Sequence, residues 1–263
     1  MNAFPNSLRA GLLASFAALF GMTAGAEEIP RAPQSGSAFL SPELKAMQAD
    51  EFANAGMLWL TEGERLWTQT EGAAEKSCAA CHGDARQSMK GVAARYPALD
   101  ASSGNLLNLE LRINLCRARH MAAEPFAYET NELLSLTAYV ASQSRGMPMA
   151  VDVGGAAAPY FERGKAYFTT RQGQLNLSCA QCHVDHAGQR LRGDIISHGV
   201  GVGYPVYRLE WQSVGSLHRR LRACSFGVRA VQSGYGSQDY VSLELFLAKR
   251  AEGLPIDTPA IRK

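Results

Sequence analysis

The chain has 263 residues, with 26 Lys and Arg against 24 Asp and Glu, for a formal charge of +2 at pH 7. So small a basic surplus, with no basic low-complexity tail, excludes an electrostatic case for a nucleic-acid partner. Apolar residues make up 46 % and charged residues 19 %, and no apolar run reaches the roughly 18 to 20 residues that a membrane-spanning helix needs.

At the start, Arg9 precedes an apolar run from Ala10 to Phe20, and Ala24-Gly25-Ala26 follows. A basic residue, a short apolar stretch and a small-residue exit mark a secretory signal peptide; an N-terminal anchor is the alternative, and the run is short for one. We expect cleavage after Ala26 and export to the periplasm, an oxidising compartment. The remainder is long enough for two domains of about 110 to 130 residues each. We place them at residues 27–150 and 151–263, divided near the small-residue stretch VDVGGAAAPY.

Ser41 before Pro42 is an N-cap followed by proline at N1, the start of a helix. Then a pattern begins that occurs twice. GERLWTQTEGAAEKSCAACH starts at Gly63 and GKAYFTTRQGQLNLSCAQCH at Gly164, with 15 residues from glycine to first cysteine in both. ELRINLCRA around Cys116 parallels HRRLRACSF around Cys224, and each is followed by an apolar run that ends in Gly-x-Pro. Periodicity predicts helices over 57–70 and 158–171, a short helix under each lone cysteine, and a terminal helix before each closing glycine. No alternating strand series is visible, so the expected class is mainly α: one small fold used twice.

CAACH covers Cys78 to His82 and CAQCH covers Cys179 to His183. In an exported protein C-x-x-C-H is the attachment motif of c-type haem. Two thiols add across the haem vinyls, and the short loop delivers the next imidazole to the iron. Two covalent haems are expected, on Cys78 and Cys81 and on Cys179 and Cys182, with His82 and His183 as proximal ligands. A zinc knuckle would lack the paired second half that closes a tetrahedral site, and a redox CxxC would need a βαβ setting. With haem, the class becomes two tandem cytochrome c-like domains.

The distal ligands are less determined. All eight methionines lie at or before residue 149. The second half is therefore left with Cys224, one of His186, His198 or His218, or nothing. In the first half Cys116, His120, Met89, Met121 and Met147 compete. Cys116 and Cys224 occupy equivalent places in the repeat; a disulfide between them or a buried inert thiol are the alternatives. A thiolate ligand favours oxidised iron and lowers its potential, a poor choice for plain high-potential electron shuttling.

The stretch GYPVYRLEWQSVGSLHRRLRACSFGVRA, Gly203 to Ala230, with the paired CxxCH motifs, resembles the SoxA family, the dihaem c-type subunits of the SoxAX cytochromes. The resemblance covers nearly the whole chain after Ala26 and is most specific around Cys224. It implies an L-cysteine S-thiosulfotransferase that joins thiosulfate oxidatively to a cysteine of a SoxYZ carrier protein and passes two electrons to soluble cytochrome c. It further implies that Cys224 is the catalytic cysteine, an iron ligand found as a persulfide, and that Arg220 binds substrate. By the same resemblance Cys116 is the distal ligand of the first haem, and a monohaem SoxX-like subunit completes the enzyme.

The residues support part of this independently. Positions four apart share a helix face, which sets Arg220 beside the Cys224 sulfur. A guanidinium suits the sulfonate oxygens of a small dianion, and a nearby cation favours the thiolate. His218, Arg219 and Arg222 are expected to add to the local positive field. Arg112 stands at the same spacing before Cys116, so the arrangement also reads as a structural device common to both copies. The glycine-rich GDIISHGVGVGYP is expected to wrap the second haem or face a partner, and His186 and His198 are given no role. A dihaem electron carrier without a substrate of its own is the rival reading, and a dihaem peroxidase, which would need an open distal site, a third.

Overall fold

The computed structural model describes Met1 and residues 32–263; the expected signal peptide lies outside the described residues. Residues Pro33–Lys263 form one unit, built on two helix pairs. In chain order the described helices are α1 (Pro42–Ala49), α2 (Met57–Thr68), α3 (Cys78–His82), α4 (Ala85–Ser88), α5 (Leu109–Cys116), α6 (Asn131–Ser142), α7 (Ala158–Thr169), α8 (Leu217–Gly227) and α9 (Gln238–Arg250). α2 packs on α6, and α7 on α9.

The repeat glycines explain why these helices meet as they do. A Cβ on Gly63 would lie 2.2 Å from the carbonyl oxygen of Ser135 on α6, and one on Gly164 would lie 2.0 Å from that of Ser242 on α9. Only a residue without a side chain lets the backbones come this close, so the motif's first glycine marks a helix crossing in each lobe.

The helix starts follow the capping rules. Ser41 Oγ accepts from Leu44 N–H at 3.4 Å with Pro42 at N1. The Asn108, Thr130, Ser216 and Ser237 side chains cap α5, α6, α8 and α9 in the same way. Each such cap is worth about 1 kcal/mol.

The two lobes share apolar core. Leu66, Trp67, Leu136 and Val140 of the first lobe belong to one buried cluster with Val202, Val241, Leu245 and Ile256 of the second. Between the lobes the chain pairs with residues far along it: Arg145 bridges to Ile256 and Pro148 to Pro255. Each fully buried aliphatic side chain of this kind contributes roughly 1.5–3 kcal/mol.

The sequence showed no strands, and the structure has short ones. β1 (Ala98–Leu99) pairs with β2 (Leu106–Leu107), and β3 (Arg190–Leu191) with β4 (Asp194–Ile195). β5 (Val206–Arg208) lies between antiparallel β6 (Ser213–Gly215) and parallel β7 (Ala260–Arg262). Elements of two or three residues cannot display alternation, and β5 and β7 are held by pairing across the fold. The architecture remains mainly helical.

The stretch before α2 was expected only as an extra helix, and it has a place at the second lobe. Asn54 Nδ2 donates to Pro259 O at 2.9 Å, and Gln48 Oε1 accepts from Ile261 N at 3.0 Å and from Arg262 at 2.8 Å. These bonds hold α1 against β7.

Candidate functional site

Each CxxCH faces a cleft. The first, about 860 Å³, is lined by Cys78, Cys81, His82 and Cys116, with Arg112, Met89, His120 and Met121 also on its wall. The second, about 640 Å³, is lined by Cys179, His183, Arg220 and Cys224. Cys182, partly buried, is not on that wall but is close enough to Cys224 for the two thiols to interact. All six cysteines are free, and Cys116 and Cys224 sit in different clefts; the disulfide alternative is not what the fold builds.

Ser77 and Ser178 start the two cysteine turns alike. Ser77 Oγ accepts from Ala80 N at 3.0 Å and Ser178 Oγ from Gln181 N at 3.3 Å. Beyond this the surroundings of the two histidines differ. His82 is solvent-exposed and lies 5.8 Å, centroid to centroid, from the ring of Trp67, whose Nε1 donates to Gly83 O at 2.9 Å. His183 is pinned: its Nδ1 lies 2.7 Å from Ser197 O. A carbonyl only accepts, so Nδ1 carries the hydrogen and Nε2 keeps its lone pair for a metal. Ser197 belongs to the GDIISHGVGVGYP loop. At Gly199 (φ +64°) a Cβ would lie 2.8 Å from His183 Cγ, so this loop packs against the histidine face of the second cleft.

On the opposite side of the second cleft, none of His186, His198 and His218 is among the lining residues. Cys224 is the donor there, and its thiol is within hydrogen-bonding reach of His183. In the first cleft Cys116, Met89, His120 and Met121 are all on the wall, and Met147 is not.

The two helices that carry the lone cysteines place arginines alike and use them differently. Arg112 donates to Tyr96 Oη at 3.1 Å and to Asp100 Oδ1 at 2.9 Å. Asp100 is held well below the usual carboxylate range by the hydroxyls of Ser102 and Ser103 and by Arg112, so a full negative charge answers this guanidinium. Arg220 makes no direct carboxylate ion pair and no side-chain hydrogen bond among the described residues; the group it interacts with most strongly is Cys224, with Tyr204, Glu210 and Asp194 acting on it more weakly. The thiols respond in opposite senses. Burial raises Cys116, and Arg112 only partly offsets it. Burial also works to raise Cys224, but the His183 hydrogen bond and the Arg220 charge outweigh it and the thiol is lowered. Burial pushes Cys78 and Cys179 up to about 11.

The expected reinforcement of this field by neighbouring cations is corrected by the structure. His218 is 1 % exposed and turned away, its Nδ1 accepting from Gly236 N at 3.1 Å. Arg219 lies over Trp211, 4.2 Å from the ring centroid, and 3.8 Å from Glu129. Arg222 donates to Ser233 O and lies over Tyr235. At about 100° per residue, Arg220 is the one basic residue of this run that shares a face with Cys224. Other cations line the second cleft, and sequence reasoning missed them: Arg190, and Arg208, Arg262 and Lys263, which are paired with Glu210, Asp257 and Asp194 respectively. Arg208 stands within the quoted stretch Gly203 to Ala230 and could have been found there. Arg262 and Lys263 arrive through β7, which no local pattern announced.

The donors at each cleft fit a c-type haem: a CxxCH turn whose histidine lines the wall, with both of its cysteines there in the first cleft and Cys179 in the second, and a further cysteine in the lining. A mainly helical fold that twice presents CxxCH to such a cleft defines a c-type cytochrome. Comparison with known proteins gives the family. The family described as SoxA/TsdA, cytochrome c domain, matches residues 62–149 and 163–256. The chain is 41 % identical over 230 residues to the L-cysteine S-thiosulfotransferase subunit SoxA of Pseudaminobacter salicylatoxidans, covering 87 % of this chain and 80 % of that one. It is 37 % identical over 229 residues to the subunit of the same name from Rhodovulum sulfidophilum, with the same coverage. It superposes on the crystal structure of SoxXA from P. pantotrophus with a TM-score of 0.85 at 34 % identity, covering 88 % of this chain and 87 % of that one. The chain belongs to the SoxA/TsdA cytochrome c family.

Proposed function

We propose that the chain is the catalytic subunit of a periplasmic L-cysteine S-thiosulfotransferase, exported by a signal peptide ending at Ala26. It carries two c-type haems, one on Cys78 and Cys81 and one on Cys179 and Cys182. His82 and Cys116 ligate the first iron, and His183 and Cys224 the second. The names of the similar proteins support the activity, and the SoxXA match supports a SoxX-like monohaem partner. The boundary between the two cytochrome domains is placed at residues 150 and 151. Among the described residues no helix is long and apolar enough to cross a membrane.

The observation that carries the reading is an arginine with no direct carboxylate ion pair among the described residues, beside a lowered cysteine on the wall of the second cleft. Haem iron, when bound, supplies one-electron acceptance on the way to soluble cytochrome c. Arg220 holds thiosulfate through its sulfonate oxygens and leaves the outer sulfur directed at Cys224. An S–S bond forms between that sulfur and the Cys224 sulfur, and two electrons are released. A thiolate of the SoxYZ carrier then attacks the outer sulfur, forms the new S–S bond and leaves Cys224 as the thiolate. The second step is an exchange with no net redox change. The sum is carrier thiol plus thiosulfate giving carrier S-thiosulfonate, one proton and two electrons. Cys224 starts each cycle as a thiolate or as its persulfide, with the terminal sulfur then in the same role.

The test is thiosulfate-dependent reduction of cytochrome c by the holocomplex with carrier protein. Cys224→Ala abolishes it under this reading; a plain electron carrier would keep turnover. The mass of the mature chain checks the two haems, the cleavage at Ala26 and any added sulfur together.

A further inference from the structure

Behind the two clefts, where the lobes meet, is a cluster of titratable side chains that the proposed chemistry does not use. In the repeat Glu110 and His218 are equivalent: each lies two residues before its arginine and six before its lone cysteine. Both are buried, 6 % and 1 % exposed. Glu244 of α9 lies between them. It accepts from Asn108 Nδ2, beside Glu110, at 3.1 Å, and its Oε2 is 3.2 Å from His218 Nε2, which makes no aligned hydrogen bond.

A cavity of about 50 Å³ opens here, lined by Glu110, Glu244, Thr137 and the tyrosines Tyr96 and Tyr204. Tyr96 also lines the first cleft and Tyr204 the second. The cavity thus lies behind both clefts and touches the walls of each.

The groups that face Glu110 leave it without a cation. Glu244 comes from α9 and Glu129 from the turn before α6; Tyr128, stacked on His218 at 5.5 Å, closes the same side. Arg219 of α8 is directed at Glu129, and Tyr240 of α9 packs on His218. Burial first, then the Glu244 and Glu129 carboxylates, push Glu110 up to about 8.

We propose that Glu110, Glu244 and His218 form one buried proton-binding site shared by the two lobes, which takes up a proton from solvent when the chain receives an electron and releases it when the electron leaves. The physical basis is distance and dielectric. Six residues along a helix is about 9 Å, and at that range in a protein interior a unit charge changes proton affinity on the order of tenfold. By linkage the proton changes electron affinity by the same factor. Glu110 stands in this relation to Cys116. Glu244, 19 % exposed in its side chain, gives the site its contact with solvent.

This inference goes beyond the thiosulfotransferase reading but requires haem as the seat of the electron. The experiment uses the dihaem holoprotein. Midpoint potentials are followed across roughly pH 6 to 9, and reduced-minus-oxidised infrared spectra are recorded in the carboxylic-acid region. Native protein is expected to show potentials that fall as pH rises, together with a protonated-carboxyl band that changes on reduction. Glu110→Gln should remove the band and flatten the pH dependence, by up to about tenfold in proton affinity. Glu244→Gln gives a second variant if the first fails to fold. Potentials with the same pH dependence in native and variant protein, or a spectrum with no carboxylic-acid change, would overturn the proposal. A mass showing a single haem would instead overturn the two-haem reading, and the carboxyl band would still test the cluster against the haem that remains.

Discussion

The first and second clefts are built on the same scaffold and end with opposite electrostatics. Both have a helix crossing at a glycine, a serine-capped cysteine turn, and an arginine four residues before a lone cysteine. In the first cleft that arginine is answered by Asp100 and Tyr96, and the thiol beside it is raised by burial. In the second no carboxylate among the described residues makes a direct ion pair with Arg220, Glu210 and Asp194 acting on it only at longer range, and the thiol is lowered. The lesson is that the arginine's partner, not its position, separates a structural cation from one available to a substrate. A duplicated fold lets one copy pair the cation with a carboxylate while the other places it beside a cysteine.

The comparison can be broken most sharply at the sulfurs. Cys224→Ala should lower thiosulfate-dependent turnover by about a thousandfold or more, since under the proposed function it removes both the nucleophile and an iron donor. Cys116→Ala should retain most of it. Equal losses at the two positions would erase the distinction between the clefts.

The symmetric part of the scaffold is tested at the crossings. Gly63→Ala and Gly164→Ala each force a Cβ against a backbone carbonyl oxygen at about 2 Å. Each should cost about 3 kcal/mol, read from denaturant midpoints. A large loss at one site and none at the other would show that the helix pairs are not equivalent.

A third effect concerns Glu110, whose counterpart is His218. Its native value is raised from an ordinary 4.5 to about 8. Folded protein therefore holds a proton that the unfolded chain releases in that window. Stability is fully present below about 4.5, falls as pH rises toward about 8, and is level above it. Glu110→Gln should remove that slope and be the more stable form at alkaline pH, by a few kcal/mol. Urea unfolding at several pH values reads both.

Much of this was legible in the sequence for a physical reason. Helix crossings demand glycine, caps demand serine or asparagine, and haem attachment demands CxxCH, so each leaves a local signature. The helices over Met57–Thr68 and Ala158–Thr169 fall within two residues of the expected ends. What was not legible depends on contacts distant in sequence: the bond from Asn54 to Pro259, the pairing of β5 with β7, and the arrival of Arg262 and Lys263 in the second cleft. The Asp100 partner of Arg112, which decides the comparison, comes from the turn between β1 and β2, and no carboxylate among the described residues makes the same direct ion pair with Arg220. The misjudged case was the charge density of HRRLR, counted along the chain when helix geometry disperses it around the axis.

The account rests on Arg220 being available to an anion while Arg112 is committed. The most direct measurement is equilibrium binding of thiosulfate to the dihaem holoprotein in complex with its monohaem partner, comparing Arg220→Gln with Arg112→Gln. The account predicts that Arg220→Gln weakens binding by tenfold or more, in line with about 2 kcal/mol or above for a charge-assisted contact, and that Arg112→Gln leaves it within about twofold. Equal weakening by the two substitutions, or none by Arg220→Gln, would contradict it.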